Sequence, residues 1–237
     1  MDDEGSAHSS QKPGVGTDIN PRLDQRESDE GIEREARKRF CHTKAGQCSE
    51  RTMPKPVLFV QGGGAGAHRE DAALAESLRA ALGPEFGVSY PQMPMEDDPD
   101  QSRWASRIAH EMSQMGDGAI LVGHSVGATI LLTMLLEGGK HERIAGVMLL
   151  AAPFMGQGGW EVPGFALPRD SQDRFPAAVP LYFYHGEDDE TVPFTHAELY
   201  ARVFPRALLR RIQGCNHQFN EDLAIVAEDI VRLEARA

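Results

Sequence analysis

A three-layer α/β fold is predicted for this 237-residue chain: a mostly parallel sheet of about six strands, helices on both faces, and no large cap domain. Three features predict it. The strand-forming stretches are short, continuously apolar runs, as in sheets buried on both faces. Segments with helical apolar spacing separate them, so the chain alternates strand and helix. One strand passes directly toward a helix through Gly123-His124-Ser125-Val126-Gly127, a G-x-S-x-G pentapeptide suited to a tight strand-to-helix turn.

Taken in order, Val57-Leu58-Phe59-Val60 forms the first strand. A glycine loop and a helix over 69–82 follow, with Leu74, Leu78 and Leu82 recurring on one face. Gly87-Val88-Ser89-Tyr90 is the second strand. After a loop rich in proline and acid, Asp100 is placed to cap a helix over 101–115 that turns Trp104, Ile108 and Met112 inward. A strand over 119–122 precedes an apolar helix over 128–136. Strands over 146–151 and 181–184, a helix over 194–204, a strand over 207–212 and a helix over 221–233 complete the pattern. Such strands are joined mostly by right-handed crossovers. The one long irregular insert, residues 153–180, follows a strand's C-terminal end, where α/β sheets bind ligands. It is long enough for a small flap over the site and too short for a large cap domain.

Residues 1–52 hold only scattered large apolar side chains (Val15, Ile19, Leu23, Ile32, Phe40), too few to offset the entropy of ordering. They are expected to be a disordered extension before a folded domain over 53–237, and Met53, just before the first strand, is a credible native start. The net charge of −12 falls almost entirely after residue 55. An acidic body disfavours nucleic acid and anionic membranes as partners. Cys41, Cys48 and Cys215 do not make a disulfide framework, nor does their spacing make a zinc site. The acidic start Met1-Asp2-Asp3-Glu4 is unlike a signal peptide, and no apolar run reaches membrane-spanning length. A cytoplasmic location is the expectation.

The pentapeptide bears on chemistry because a serine at such a turn is lifted out of the sheet beside a helix N-terminus, which favours negative charge. An activated serine needs a base, and the base needs a group to hold its tautomer. His185-Gly186-Glu187-Asp188-Asp189-Glu190-Thr191-Val192-Pro193 begins at the end of one strand, and His217 follows the last. Ser125, an acid and His217 therefore come in order, each after a strand. The acid is Asp189 or Asp188 on position alone. The remaining histidines, His124 and His185 among them, need no catalytic role.

In this order and spacing the chain resembles the α/β-hydrolase superfamily over residues 56–237. Small size and the missing cap are similar to the compact serine hydrolases related to retinoblastoma-binding protein 9. The superfamily's H-G-x-x-D-x-x-V-P pattern is met by His185, Gly186, Asp189, Val192 and Pro193, so the resemblance assigns the triad as Ser125, Asp189 and His217. It also implies an oxyanion hole from the N–H groups of Gly63 and Val126, hydrolysis of a small acyl ester or related acyl substrate through an acyl-enzyme, and no metal or organic cofactor. Two positions depart from the family pattern: Gln61-Gly62 stands where His-Gly is usual, and Cys215-Asn216 precedes the histidine. Two other readings compete. A non-catalytic binding protein can keep the same scaffold. The loop Gly62-x-Gly64-x-x-Ala67 also fits a relaxed dinucleotide fingerprint, although Tyr90-Pro91-Gln92 stands where that fingerprint expects an acid.

Overall fold

Side chains alternate between two cores along every central strand. Leu58 and Val60 of β1 (Lys55–Val60) enter one core, and Val57 and Phe59 enter the other. Leu121 is divided in the same way from Ile120 and Val122 on β3 (Ala119–His124). On β4 (Ile144–Leu150), Val147 and Leu149 oppose Met148 and Leu150. Because both faces are apolar, helices must cover both. The structure, a computed structural model, describes residues 53–138, 143–162 and 165–235. The extension expected over 1–52, with Cys41 and Cys48, lies outside the described residues.

With β2 (Phe86–Ser89), β5 (Leu181–Gly186) and β6 (Leu208–Ile212), the strands form one sheet in the order β2-β1-β3-β4-β5-β6, and all five pairings are parallel. The first core is closed by α3 (Gln101–Ser113), α4 (Ser125–Leu136) and α6 (Thr195–Val203), through Trp104, Ile130 and Tyr200 among others. The second is closed by α2 (Ala72–Leu82) and α7 (Ala224–Glu234), through Leu74, Leu78, Val226 and Ile230. Asp100 caps α3 as its position predicts, its carboxylate accepting from the Arg103 N–H at 2.8 Å. The chain reverses direction across the sheet between β1 and β3, so their C-terminal ends open a crevice at a topological switch point.

Several element ends move by one or two residues, and three helices differ further from the sequence pattern. The helix expected over 69–82 is two pieces, α1 (Ala67–Glu70) and α2, joined at Asp71, whose carboxylate turns inward toward the sheet. The helix after the pentapeptide begins at Ser125, not Ala128, so β3 and α4 meet with no loop between them. The last helix starts at Ala224, because Phe219, Asn220 and Glu221 have φ of 52°, 50° and 59° and cannot continue a right-handed helix. The insert forms no separate domain. Among its described residues it contains a bridge between Met155 and Trp160 and one short helix, α5 (Ser171–Arg174). Its first carbonyl, on Pro153, accepts from Thr129 Oγ1 at 2.8 Å and from the Tyr200 hydroxyl at 2.9 Å, which ties it to α4 and α6.

Two glycines let β1, β3 and α4 approach. A Cβ at Gly123 would lie 2.7 Å from the Ala128 Cα, and one at Gly127 would overlap the Gln61 carbonyl oxygen. Gly127→Ala is expected to lower the stability measured by urea unfolding by about 1–3 kcal/mol. Gly116→Ala, where a Cβ meets nothing within 4 Å, is expected to stay within about 0.5 kcal/mol.

Candidate active site

Ser125 is the first residue of α4 and has φ of 50°, a left-handed conformation that a non-glycine residue adopts at a cost of about 1–3 kcal/mol. The strain follows from the abrupt change of direction at the end of β3. It leaves the side chain at the crevice, 8% exposed, beside the unbonded N–H groups of the first helical turn.

His217 lies on the loop after β6, and its Nε2 is 3.1 Å from Ser125 Oγ. Its Nδ1 is 2.8 Å from Asp189 Oδ2. The loops that carry these groups are locked together at the backbone. A Cβ at Gly186 would overlap the Cys215 carbonyl oxygen, and the Glu187 and Asp188 N–H groups donate to the carbonyls of Ile212 and Cys215 at 2.9 and 3.1 Å. Asp189 is buried, whereas Asp188 is exposed, so only the former reaches the imidazole. The other Asp189 oxygen accepts from the Thr191 and Val192 N–H groups at 2.9 and 2.8 Å, which fixes the carboxylate plane. Burial works against the charge on Asp189, but bonds from His185, His217 and the Val192 N–H outweigh it and hold the pKa well below the usual carboxylate range.

The glycine loop after β1 faces the start of α4. A Cβ on Gly63 would lie 3.3 Å from Val126 Cβ and 2.6 Å from Pro99 Cγ. Its neighbours are tied down. The Gly62 N–H donates to Asp71 Oδ2 at 2.7 Å, and the Gly64 N–H donates to the Glu96 carbonyl at 2.6 Å. The Glu96 carboxylate accepts from the Gly66 and His68 N–H groups at 3.2 and 2.8 Å, and from Gln61 Nε2 at 2.7 Å. Gln61 Oε1 in turn accepts from the Met93 N–H at 2.9 Å. Gln61, which stands where the family pattern has histidine, is thus a brace between the glycine loop and the 93–96 segment. This disposition does not suit a dinucleotide: the Asp71 and Glu96 carboxylates take the N–H groups of Gly62, Gly66 and His68, and both would repel a pyrophosphate.

Four groups that sequence reasoning left without a role, His124, Asp71, Gln218 and His185, lie directly behind the cluster. His124 is fully buried, its Nδ1 2.8 Å from Asp71 Oδ2 and its Nε2 3.0 Å from the His217 carbonyl oxygen. Gln218 Nε2 donates to Asp71 Oδ1 at 3.1 Å. His185, at the end of β5, places Nε2 2.7 Å from the Val192 carbonyl and 3.3 Å from Asp189 Oδ2. A signal for Asp71 exists in the sequence: it falls on the same helical stripe as Leu74, Ala75 and Leu78, an acid where the core is expected. Among the described residues, no group of three or more His, Cys, Asp or Glu is arranged to hold a metal ion. No helix among them is long and apolar enough to cross a membrane.

Residues 78–222 match the family described as serine hydrolase. Among solved structures, Est1E from Butyrivibrio proteoclasticus is 17% identical with a TM-score of 0.56, over 79% of this chain and 90% of that one. A 2-hydroxy-6-oxo-6-phenylhexa-2,4-dienoate hydrolase from Rhodococcus sp. strain RHA1 is 16% identical with a TM-score of 0.61, over 78% and 91%. A meta-cleavage product hydrolase variant from Pseudomonas fluorescens IP01 is 15% identical with a TM-score of 0.60, over 77% and 91%. At such identities the likeness establishes the shared fold, that of the α/β hydrolases. No curated protein sequence matches the chain.

The Glu96 brace has a measurable consequence. Glu96→Ala is expected to lower the thermal midpoint and to accelerate amide exchange at Gly66 and His68 by at least tenfold. In the unaltered protein the carboxyl pKa is lowered, first by the His68 N–H and then by Gln61. A depressed folded pKa means this stabilisation is present above the ordinary glutamate pKa and is lost as pH falls through the lower folded value. Protection of both amides should therefore survive to pH values below the ordinary glutamate range, which amide exchange measured across that range checks.

Proposed function

Because the chain belongs to the serine hydrolase family, we propose that it cleaves a small acyl ester, or a related acyl bond, through an acyl-enzyme on Ser125. One observation carries this reading: the unbroken run from Ser125 Oγ to His217 Nε2 at 3.1 Å and from His217 Nδ1 to Asp189 Oδ2 at 2.8 Å, at a left-handed serine opening a helix.

In this mechanism His217 Nε2 takes the Ser125 proton as Oγ attacks the acyl carbon. Asp189 keeps the remaining ring proton on Nδ1 and stabilises the imidazolium as it forms. Negative charge develops on the carbonyl oxygen. The Val126 N–H, in the first turn of α4, and the Gly63 N–H are the donors for it, each worth on the order of 3 kcal/mol of barrier. His217 then returns its proton to the leaving oxygen as the acyl bond breaks. Water repeats the sequence on the acyl-enzyme, giving up a proton to His217 and releasing the acid and the serine hydroxyl.

The preference for small substrates rests on the compact insert, which adds no cap domain and so no long enclosed channel for a lipid chain. Compactness also supports placement beside the small hydrolases similar to retinoblastoma-binding protein 9.

A fluorophosphonate probe is expected to label the full chain, and Ser125→Ala is expected to abolish labelling. On a short p-nitrophenyl ester, Ser125→Ala and His217→Ala should each lower kcat by at least about 10⁴-fold. Asp189→Asn should lose on the order of 10³–10⁴-fold, and Asp188→Asn less than about twofold. An unlabelled wild-type protein would restore the reading of a binding protein on a hydrolase scaffold. A collapse confined to Asp188→Asn would move the acid to that residue.

A further inference from the structure

We propose that His124 is held as a doubly protonated imidazolium by Asp71, and that this buried ion pair is the positioning strut of the site. It sets His217 and the Gly62–Gly63 loop from a single carboxylate. The inference deepens the hydrolase reading and rests on it for the reaction concerned, but the strut itself is a property of the folded chain.

Geometry carries the protonation state. Both ring nitrogens of His124 face acceptors: Nδ1 a carboxylate oxygen of Asp71, Nε2 the main-chain carbonyl oxygen of His217. A neutral ring has one proton to give, so one nitrogen lone pair would be directed at an acceptor oxygen. The residue is 1% exposed, and a bare lone pair against an oxygen has no solvent to relieve it. With both nitrogens protonated, every contact is a donor meeting an acceptor. Burial alone works against the charge, and the adjoining Asp71 carboxylate overcomes it, so the pKa is raised.

The charged and titratable groups facing the ring come from three elements. Asp71 lies at the α1–α2 joint, Asp189 adds a more distant attraction from the β5 loop, and the His217 ring lies 4.9 Å away, centroid to centroid. The edge of Phe219 closes the remaining side. Asp71 and Asp189 place two carboxylates behind the site, and the His124 cation offsets one of them.

The connectivity makes the pair a positioning device. Asp71 Oδ2 accepts from the Gly62 N–H, one residue before the proposed oxyanion donor Gly63, and from His124. Oδ1 accepts from Gln218, one residue after His217. His124 itself is one residue before Ser125 and grips the His217 carbonyl. Two loops and the end of β3, from distant parts of the chain, are thereby held to one carboxylate–imidazolium couple, each one residue from Gly63, His217 or Ser125.

Asp71→Asn separates this from a merely structural role. The amide nitrogen can take the Oδ1 position and donate to Gln218 Oε1, which is buried without a partner, once the Gln218 amide rotates by half a turn, while the amide oxygen still accepts from Gly62. The carboxylate charge is gone, so His124 becomes neutral and gives up one of its two links.

In the full wild-type chain, ¹⁵N NMR at pH 7 should show both His124 ring nitrogens protonated. Because the folded pKa is raised, the strut is intact below the ordinary histidine pKa and is lost as pH rises through the folded value. The kcat for a short p-nitrophenyl ester should fall with the same midpoint as the His124 titration. Asp71→Asn should move that midpoint down by more than one pH unit. It should lower kcat at least about tenfold with KM changed less than about threefold, and His124→Gln should do the same. One protonated and one bare nitrogen in the wild type at pH 7 overturns the strut. A kcat that stays level while His124 loses its proton, or folded variants with wild-type kcat, overturns its role in positioning. Absent fluorophosphonate labelling with an intact imidazolium would instead sink the hydrolase reading and leave the strut standing. If Asp71→Asn does not fold, the wild-type NMR state and the coincidence of the two wild-type midpoints decide.

Discussion

Where β1 and β3 end side by side, the Gln61 carbonyl lies against Gly127, and the backbone of β3 turns into α4 within the width of a glycine at Gly123. There is no room for a loop, so Ser125 must take up the change of direction itself, in a left-handed conformation. The strain is sustained because the surrounding parallel sheet and the buried α4 over-determine the turn. The rest of the site depends on that contact. It brings Val126 beside the glycine loop, faces the serine toward the loop after β6, and puts His124 underneath.

Charge management follows from the same crowding. Asp71 and Asp189 are both nearly inaccessible, yet each is surrounded by donors from several loops. Buried carboxylates are tolerated only when hydrogen-bonded and paired, and removing one partner leaves an uncompensated charge. Each acid is therefore both a fastener between segments and a source of field around Ser125 and His217. Glu96 plays the more exposed version of this part, with Gln61 as its intermediary.

Much of the fold was legible because apolar runs and helical stripes report burial directly. The six strands, their parallel pairing and the helices on both faces follow from such patterns. Boundaries failed where a polar group took over. Asp71 breaks a helix that the leucine spacing alone continues, and the three residues after Gln218 reverse their φ where an acid-rich stretch reads as a helix start. The reach of Asp189 to His217, and the failure of Asp188 to do so, was visible only as a motif match, since adjacent residues in a turn point in opposite directions.

By itself the sequence determined the layer architecture, the elbow at Ser125 and the chain order of serine, acid and histidine, because each is written in local composition and spacing. Only the tertiary structure decided that the second residue of the elbow is a buried histidine locked to Asp71, and that Gln61 braces the glycine loop through Glu96. Those are contacts between residues 53 and 35 positions apart, and no local pattern encodes which distant acceptor a buried polar side chain meets. Burial forces such groups to be satisfied, and the packing of the sheet determines by whom.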